Sequence, residues 1–241
     1  MRILIIRHGD PYYPIDSLTM RGRLEAAALA EKMAKEDITS FYVSPLGRAK
    51  LTCQYTLDKM GRDAQELEWL REFTPYIHKP HPGNHVAWDW RPSAWVDHDD
   101  FYSTERWGNH PIMEEGKVKE EYDRVCREFD KLLAKHGYAR EGRFYKAERP
   151  NHDTIALYCH FGIEAVLLSH LMNCSPMILW QGLCAAPSSV TTIYTEEREE
   201  GIASFRTSQF GDVSHLYAAG MEPAFAARYC ETYHTPGQRR D

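Results

Sequence analysis

Two apolar runs in this sequence end on a histidine. In ILIIRHGD, Ile3 to Ile6 lead directly into Arg7, His8 and Gly9; in TIALYCH, Thr154 to Cys159 lead into His160. A neutral imidazole is a nucleophile near pH 7, and an adjacent guanidinium supplies a fixed charge and a fork of N–H donors. A second arginine, Arg48, stands in SPLGRAKLT just after the apolar ITSFYV, which puts it in the first turn or so of a helix. Helix N-termini attract anions, so two guanidinium groups, such a terminus and two imidazoles in one crevice would hold an oxyanion. A phosphoryl group meets that description. In-line attack by His8 on phosphorus would leave a phosphohistidine, with Arg7, Arg48 and a donor from His160 stabilising the equatorial oxygens. An alkoxide departs poorly at neutral pH, so a carboxylic acid must protonate it and then activate the hydrolytic water. Glu72 in WLREF is the candidate for that task, with Glu68 or Asp89 as alternatives.

The elements that must position these residues follow from the pattern between them. Ile3 to Ile6 is short, β-branched and unalternating, which suits a central strand buried on both faces. Thr19 can cap a helix on which Ala26, Leu29, Ala30 and Met33 share one face. ITSFYV (Ile38 to Val43) reads as a second strand, with Ser44-Pro45 as N-cap and first helical residue and Gly61 closing that helix. ELEWL (Glu66 to Leu70) reads as a third strand, after which the β-α alternation breaks from Phe73 to Pro150. That stretch holds a helix with an apolar stripe of Val118, Tyr122, Val125, Phe129 and Leu132. The alternation resumes with TIALYCH and the apolar helix Phe161 to Met172, and SVTTIYT and GIASFRT flank EEREE as a β-hairpin. The tail from Thr235 to Asp241 is polar and expected to fray. Together these predict an α/β fold of three layers, α/β/α, with a mainly parallel central sheet. The chain reads as a single domain over residues 1–241, with a mostly helical and loop insertion over 73–150 that forms a partial lid. Ligands of open α/β sheets bind beyond the carboxyl ends of the strands, where His8, Ser44 and His160 would meet.

Composition narrows the functional classes. The 241 residues carry a formal net charge of -6 and a pI near 6.1, which gives no basic footprint for nucleic acid. No apolar run approaches a membrane span, and the N-terminal run is too short for a signal peptide. Six scattered cysteines, Cys53, Cys126, Cys159, Cys174, Cys184 and Cys230, with no C-x-x-C pair, predict a reducing cytoplasm. HKPHPGNH places His78, His81 and His85 at spacings compatible with metal ligands, near DHDD at Asp97 to Asp100. Pro80 and Pro82 break any helix that would align them, so a polar loop over the site is the expectation and no metal site is assigned. No cofactor is expected, because the two arginines supply the neutralisation that Mg²⁺ provides elsewhere. Trp88, Trp90, Trp95 and Trp107 either build a small core of their own or stack on a flat leaving group, with Arg91 between two of them.

These segments, in this order, resemble the histidine phosphatase superfamily in its phosphoglycerate-mutase-like branch. RHG at Arg7 to Gly9 is similar to the signature that carries the nucleophilic histidine, here His8. LTMRGRLEAAALA is similar to the "LT..G..QA..LA" helix, and VSPLGRAKLT to "SPL.RA.QT", whose arginine falls on Arg48. LREF stands where the acid/base glutamate is often found, giving Glu72, and YCHFG is similar to the strand that delivers the second histidine, His160. The closing hairpin with FGDVSHL resembles the usual ending. The resemblance implies a metal-independent phosphomonoesterase that hydrolyses a small phosphorylated metabolite through a phosphohistidine. It also implies a pocket that takes phosphate, sulfate or vanadate. A phosphoglycerate-type mutase is the alternative, though no ER.YG segment lies between Glu72 and Arg91; a regulatory or protein-binding member that keeps the pocket is another. Two departures stand out: DPYYPID (Asp10 to Asp16) replaces the usual "x-T-x-x-N", and Leu51 replaces the glutamine of "RA.QT".

Overall fold

The computed structural model describes residues 1–224 and 232–235. The chain begins with strand β1 (Arg2–Arg7), followed by the short pair β2 (Pro11–Tyr12) and β3 (Ser17–Leu18). Helix α1 (Met20–Met33), strand β4 (Ser40–Val43), helix α2 (Gly47–Met60) and strand β5 (Gln65–Glu66) come next. After a stretch of short 3-10 turns come α3 (Pro111–Glu115), α4 (Val118–Lys135), β6 (Tyr138–Glu141) and β7 (Phe144–Ala147). The chain then forms β8 (Thr154–Cys159), α5 (Phe161–Met172), α6 (Pro176–Gly182), β9 (Val190–Glu199), β10 (Ile202–Asp212) and α7 (Ser214–Ala218).

Eight strands form one sheet in the order β5-β4-β8-β1-β9-β10-β7-β6. The first four are parallel neighbours, and every pairing beyond β1 is antiparallel, so six of the eight strands run in the direction of β1. Side chains alternate across the central strands. Ile3, Ile5, Ile155 and Leu157 face α4 and α5, where Phe129, Leu133, Ile163 and Leu167 pack on them. Leu4, Ile6, Ala156 and Tyr158 face α1 and α2, against Leu29, Met33, Cys53 and Leu57. Each fully buried aliphatic chain contributes about 1.5–3 kcal/mol, so a strand apolar on both faces is most stable in the middle of the sandwich.

The local signals act as the sequence suggests at two caps. Thr19 accepts the Gly22 N–H at 3.0 Å, and Gly61 ends α2 with φ of 62°, a conformation glycine adopts without strain. Two other expectations change. Helix α2 starts at Gly47, with Leu46 at the cap position and no side-chain cap, because the Ser44 hydroxyl is used inside the site. The third strand is only two residues long. Leu67 still donates to the Val43 carbonyl at 2.9 Å, but the chain then winds into a 3-10 turn over Glu68–Leu70 that buries Trp69 and Leu70, with the Trp69 ring 6.0 Å from Phe129.

Residues 73–150 divide in two. Val118–Lys135 and the β6–β7 pair belong to the helical layer and the sheet, with Val118, Val125, Phe129 and Leu132 buried on one stripe. Residues 73–117 carry 3-10 turns and the short α3. Trp90 and Trp107 are buried there, Trp107 edge-on to Trp180 at 5.9 Å, while Trp88 and Trp95 are half-buried. No helix among the described residues is long and apolar enough to cross a membrane. The expected fraying of the tail falls largely on residues 236–241, which lie outside the described residues, as does Cys230.

Candidate active site

Strand register brings the two histidines together. Arg7 pairs with Cys159 across β1 and β8, so the next residues, His8 and His160, emerge side by side at the carboxyl edge. Their ring centroids are 5.0 Å apart at 58°. His8 is 2% exposed, and its Nδ1 lies 2.7 Å from the Gly9 carbonyl, which can only accept. The proton therefore sits on Nδ1 and the Nε2 lone pair is available for chemistry. Gly9 donates its N–H to the Thr52 hydroxyl at 2.9 Å, and a Cβ on Gly9 would meet the Gly22 carbonyl oxygen at 2.7 Å. Only glycine lets α1 approach this closely.

His160 is held from the neighbouring strand end. Its Nε2 lies 2.8 Å from the Ser44 hydroxyl, which also accepts the Leu46 N–H at 3.3 Å. A hydroxyl that gives its proton to Nε2 leaves His160 protonated on Nδ1, a buried atom without a hydrogen-bond partner in the protein. Ser44, expected as a helix cap, is thus a fixed orienting group for this imidazole. Its value in that role was hidden because the partner lies on another strand.

The arginines have the same feature. Arg7 donates through Nη1 to the Ala185 carbonyl, and Arg48 through Nη1 to Asp16 Oδ1 at 2.5 Å. The Nε of each is buried without a partner. Burial first, then the charges of Arg7 and Arg48, holds His8 well below the ordinary imidazole value of 6.5. His160 is likewise lowered, by burial first, then His8, Arg48 and Arg7. Both rings are consequently neutral at pH 7.

Glu72 sits beyond the 3-10 turn that follows β5. Its Oε1 accepts the Phe73 N–H at 2.7 Å and the Ile163 N–H at 3.1 Å, which ties the carboxyl to the first turn of α5, just past His160. Burial raises its proton affinity above the ordinary carboxyl value, against the lowering influence of the Phe73 and Gly162 backbone and of Arg48 and Arg7. The half-buried Trp88 lies against the same spot. A Cβ on Gly162 would come within 2.5 Å of its Nε1 and 2.6 Å of Glu72 Oε1. The indole N–H donates to the Phe73 carbonyl at 2.9 Å, and the ring meets Phe161 edge-on at 5.8 Å. One tryptophan of the cluster therefore borders the site, while Trp90 and Trp107 pack in the interior. A cleft of about 750 Å³ lies beside Glu72, lined by both signs of charge: Arg71, Lys117, Arg124 and Arg127 with Glu120, Glu121 and Asp123.

The alternative carboxylates lie elsewhere. Glu68 pairs with Arg71 at the surface, and Asp89 accepts from Asn84. Glu164, which sequence reasoning passed over, is 1% exposed in the first turn of α5, where burial raises it to about 7 against the Thr191 hydroxyl and Arg7. A lone acid in the apolar FGIEAVLL was the signal. Of the histidine-rich loop, His78 and His85 lie with ring centroids 6.1 Å apart beside Tyr76, His78 bonding Glu115 at 3.1 Å and His85 the Ile77 carbonyl, while His81 accepts the Arg91 N–H. Asp100 pairs with Arg106. Among the described residues, no three histidine, cysteine or carboxylate side chains are disposed to hold a metal ion.

A family model described as the histidine phosphatase superfamily (branch 1) matches residues 3–207. No curated protein matches the sequence. Among solved structures, a phosphoserine phosphatase from Entamoeba histolytica, in complex with phosphoserine, superposes with a TM-score of 0.59 at 18% identity. That superposition covers 89% of this chain and 98% of the other. A mycobacterial glucosyl-3-phosphoglycerate phosphatase gives a TM-score of 0.56 at 17% identity over 87% of this chain and 98% of its own. A putative alpha-ribazole-5'-P phosphatase from Escherichia coli gives 0.54 at 16% identity, over 88% and 97%. At such identities the likeness concerns the fold.

Proposed function

Since the chain belongs to the histidine phosphatase superfamily, and is accordingly a phosphatase, we propose that it hydrolyses a small phosphomonoester through a phosphohistidine on His8, without a metal. One observation carries this reading. Around the neutral His8, Arg7 Nε, Arg48 Nε and His160 Nδ1, a donor when Ser44 gives its proton to Nε2, are buried and lack partners within the protein. An unsatisfied buried donor costs about 1–3 kcal/mol, more when charged, so such a set is retained where a ligand supplies the acceptors. The three equatorial oxygens of a transferring phosphoryl group match it in number and charge.

In the first step His8 Nε2 attacks phosphorus, the N–P bond forms as the ester P–O bond breaks, and Glu72 gives its proton to the departing alkoxide. In the second, the Glu72 carboxylate takes a proton from water as that oxygen attacks phosphorus; the N–P bond breaks, and phosphate and the starting enzyme are released. Arg7, Arg48 and His160 bind the phosphoryl oxygens throughout. The guanidinium charges neutralise the oxygens that a metal would otherwise bridge, so neither step needs one. The leaving group occupies the cleft beyond Glu72, with residues 73–117 as a partial lid. The phosphoserine, glucosyl-3-phosphoglycerate and alpha-ribazole-5'-P named for the similar structures support a small metabolite as substrate. Cys53, Cys126, Cys159 and Cys174 carry free thiols, which supports the cytoplasm as its location.

Release of inorganic phosphate from a panel of phosphomonoesters in EDTA, for wild type and His8→Ala, tests the reading. Turnover is expected to survive EDTA and to fall to background in His8→Ala. Turnover abolished by EDTA and restored by Zn²⁺ or Fe²⁺, or persisting in His8→Ala, would overturn it.

A further inference from the structure

We propose that Asp16 is a positioning residue for the phosphate site, gripping Arg48 by its Nη1 so that the Nε edge is presented to the phosphoryl group. The proposal rests on the phosphatase reading. Asp16 lies at the end of DPYYPID, the segment that departs from the family pattern. Its Oδ1 accepts from Arg48 Nη1 at 2.5 Å and its Oδ2 from the Gly47 N–H at 2.6 Å. One carboxylate of this chain thus bridges two donors that a bound phosphate would be expected to use.

Such a carboxylate is either a resident anion that substrate must displace, or a bracket that sets the guanidinium. The geometry favours the bracket. Arg48 Nε is buried and unpartnered, so the carboxylate has taken the outer part of the fork and left an inner donor free. The loop is also seated rather than perched. A Cβ on Gly47 would come within 2.2 Å of the Asp16 backbone oxygen, and Asp16 holds a left-handed φ of 46° with its N–H on the Tyr13 carbonyl at 3.1 Å. Such a conformation persists in a non-glycine residue only where its surroundings enforce it. Tyr13 completes the clamp, with the Arg48 guanidinium 5.5 Å from its ring centroid. On the inner side the Arg48 carbonyl accepts the Thr52 hydroxyl at 2.8 Å, and Thr52 in turn holds the Gly9 N–H. Arg48 and the backbone beside His8 therefore belong to one hydrogen-bonded unit. Arginine has much rotamer freedom to lose, and Asp16 makes that loss occur on folding instead of on substrate binding.

The test compares wild type with Asp16→Ala and Asp16→Asn by calorimetric titration of orthovanadate and by turnover of the best phosphomonoester. A released guanidinium is displaced by about an ångström or more, for which a loss of about 10²-fold is the expected scale. Asp16→Ala should weaken vanadate binding and lower kcat/KM by about 10- to 100-fold. Asp16→Asn, which keeps one oxygen for Arg48, should recover part of both, and in an Arg48→Ala background neither substitution should have further effect. Tighter vanadate binding in the Asp16 variants would identify a displaced resident anion and overturn the proposal. Unchanged vanadate affinity and kcat/KM with only a lower Tm would assign Asp16 to the fold and overturn it as well, as would a wild-type protein that binds no vanadate. If Asp16→Ala does not fold, Asp16→Asn alone carries the comparison. Vanadate binding without turnover of any phosphomonoester would count against the phosphatase reading while leaving the Asp16 result legible.

Discussion

Gly162→Ala isolates the acid step from the phosphate site. The added methyl would sit 2.6 Å from Glu72 Oε1 and 2.5 Å from Trp88 Nε1, against an ordinary contact of at least 3.4 Å, so each must retreat by about 0.8–0.9 Å. Trp88 has its indole N–H on the Phe73 carbonyl and its ring against Phe161, whereas the Glu72 carboxyl is held by two backbone N–H groups, one of them at 3.1 Å. Both give way, and a carboxyl shift of that size breaks the longer of its two bonds. Misplacing a catalytic group by about 1 Å costs about 10²-fold, within the range of about 10²–10⁴ that proton transfer supplies. For an alkyl phosphate kcat/KM should therefore fall about 100-fold, while for 4-nitrophenyl phosphate, whose phenolate leaves without a proton, it should fall by less than about threefold. Alanine is a better helix former than glycine by about 1 kcal/mol and Gly162 holds no left-handed conformation, which offsets part of the cost of moving the indole, so Tm should fall moderately. Steady-state kcat/KM for the two substrates is the assay, because hydrolysis of the shared phosphohistidine, where Glu72 is the proposed base, enters only kcat. Equal losses on both would show that the methyl acts through the phosphoryl site, and no loss on either would remove Glu72 from the acid role.

Two further outcomes follow from the same geometry. In the proposed mechanism His8 attacks only when neutral and Glu72 donates only when protonated; kcat/KM should therefore be lost as pH falls through the lowered value of His8 and as it rises through the raised value of Glu72. The acid limb belongs below pH 6.5, and Glu72→Gln should remove the alkaline limb; an acid limb above 6.5 that belongs to His8 would contradict the assigned environment. Ser44→Ala deletes the hydroxyl that orients His160 Nε2, leaving a buried ring nitrogen unpaired at a cost of about 1–3 kcal/mol in stability, and kcat should fall by about tenfold. Chemical denaturation and steady-state kinetics on one preparation read both effects, and an unchanged kcat would reduce Ser44 to a structural contact.

Much of the fold and of the site was legible because it is written locally. An unalternating run such as Ile3–Ile6 can be buried only between two helical layers, and a polar residue at its end must face the sheet edge. His8, His160 and Arg48 each stand a residue or a few past such a run, so three strand ends sufficed to bring them together. The missed features are those in which a local preference yields to a distant partner. Ser44 has the chemistry of a helix cap, yet a histidine 116 residues later in the chain claims its hydroxyl. ELEWL has the apolar content of a strand, yet Trp69 and Leu70 gain more burial beneath α4 than an edge strand offers, so the chain turns after two paired residues. Propensity gives way to packing in both cases.

Close approach between backbones leaves a fainter mark, and glycine is where it can be read. In HFG the second residue after the histidine lacks a side chain, and the structure supplies the reason: Trp88 from one loop and Glu72 from another meet over that point. In PLGR the glycine before Arg48 lacks one because the Asp16 backbone rests on it. Neither glycine has a positive φ or ends a helix, so neither is needed for a turn. A glycine in the first turn of a helix, beside a residue that could bind phosphate, is better explained by what must come near it than by the bend it permits. On that reasoning HFG and PLGR already marked where outside groups enter this site. Their identities, the proposed proton carrier Glu72 and the proposed bracket Asp16, depended on chain segments about 90 and 31 residues away in sequence, whose register no local pattern encodes.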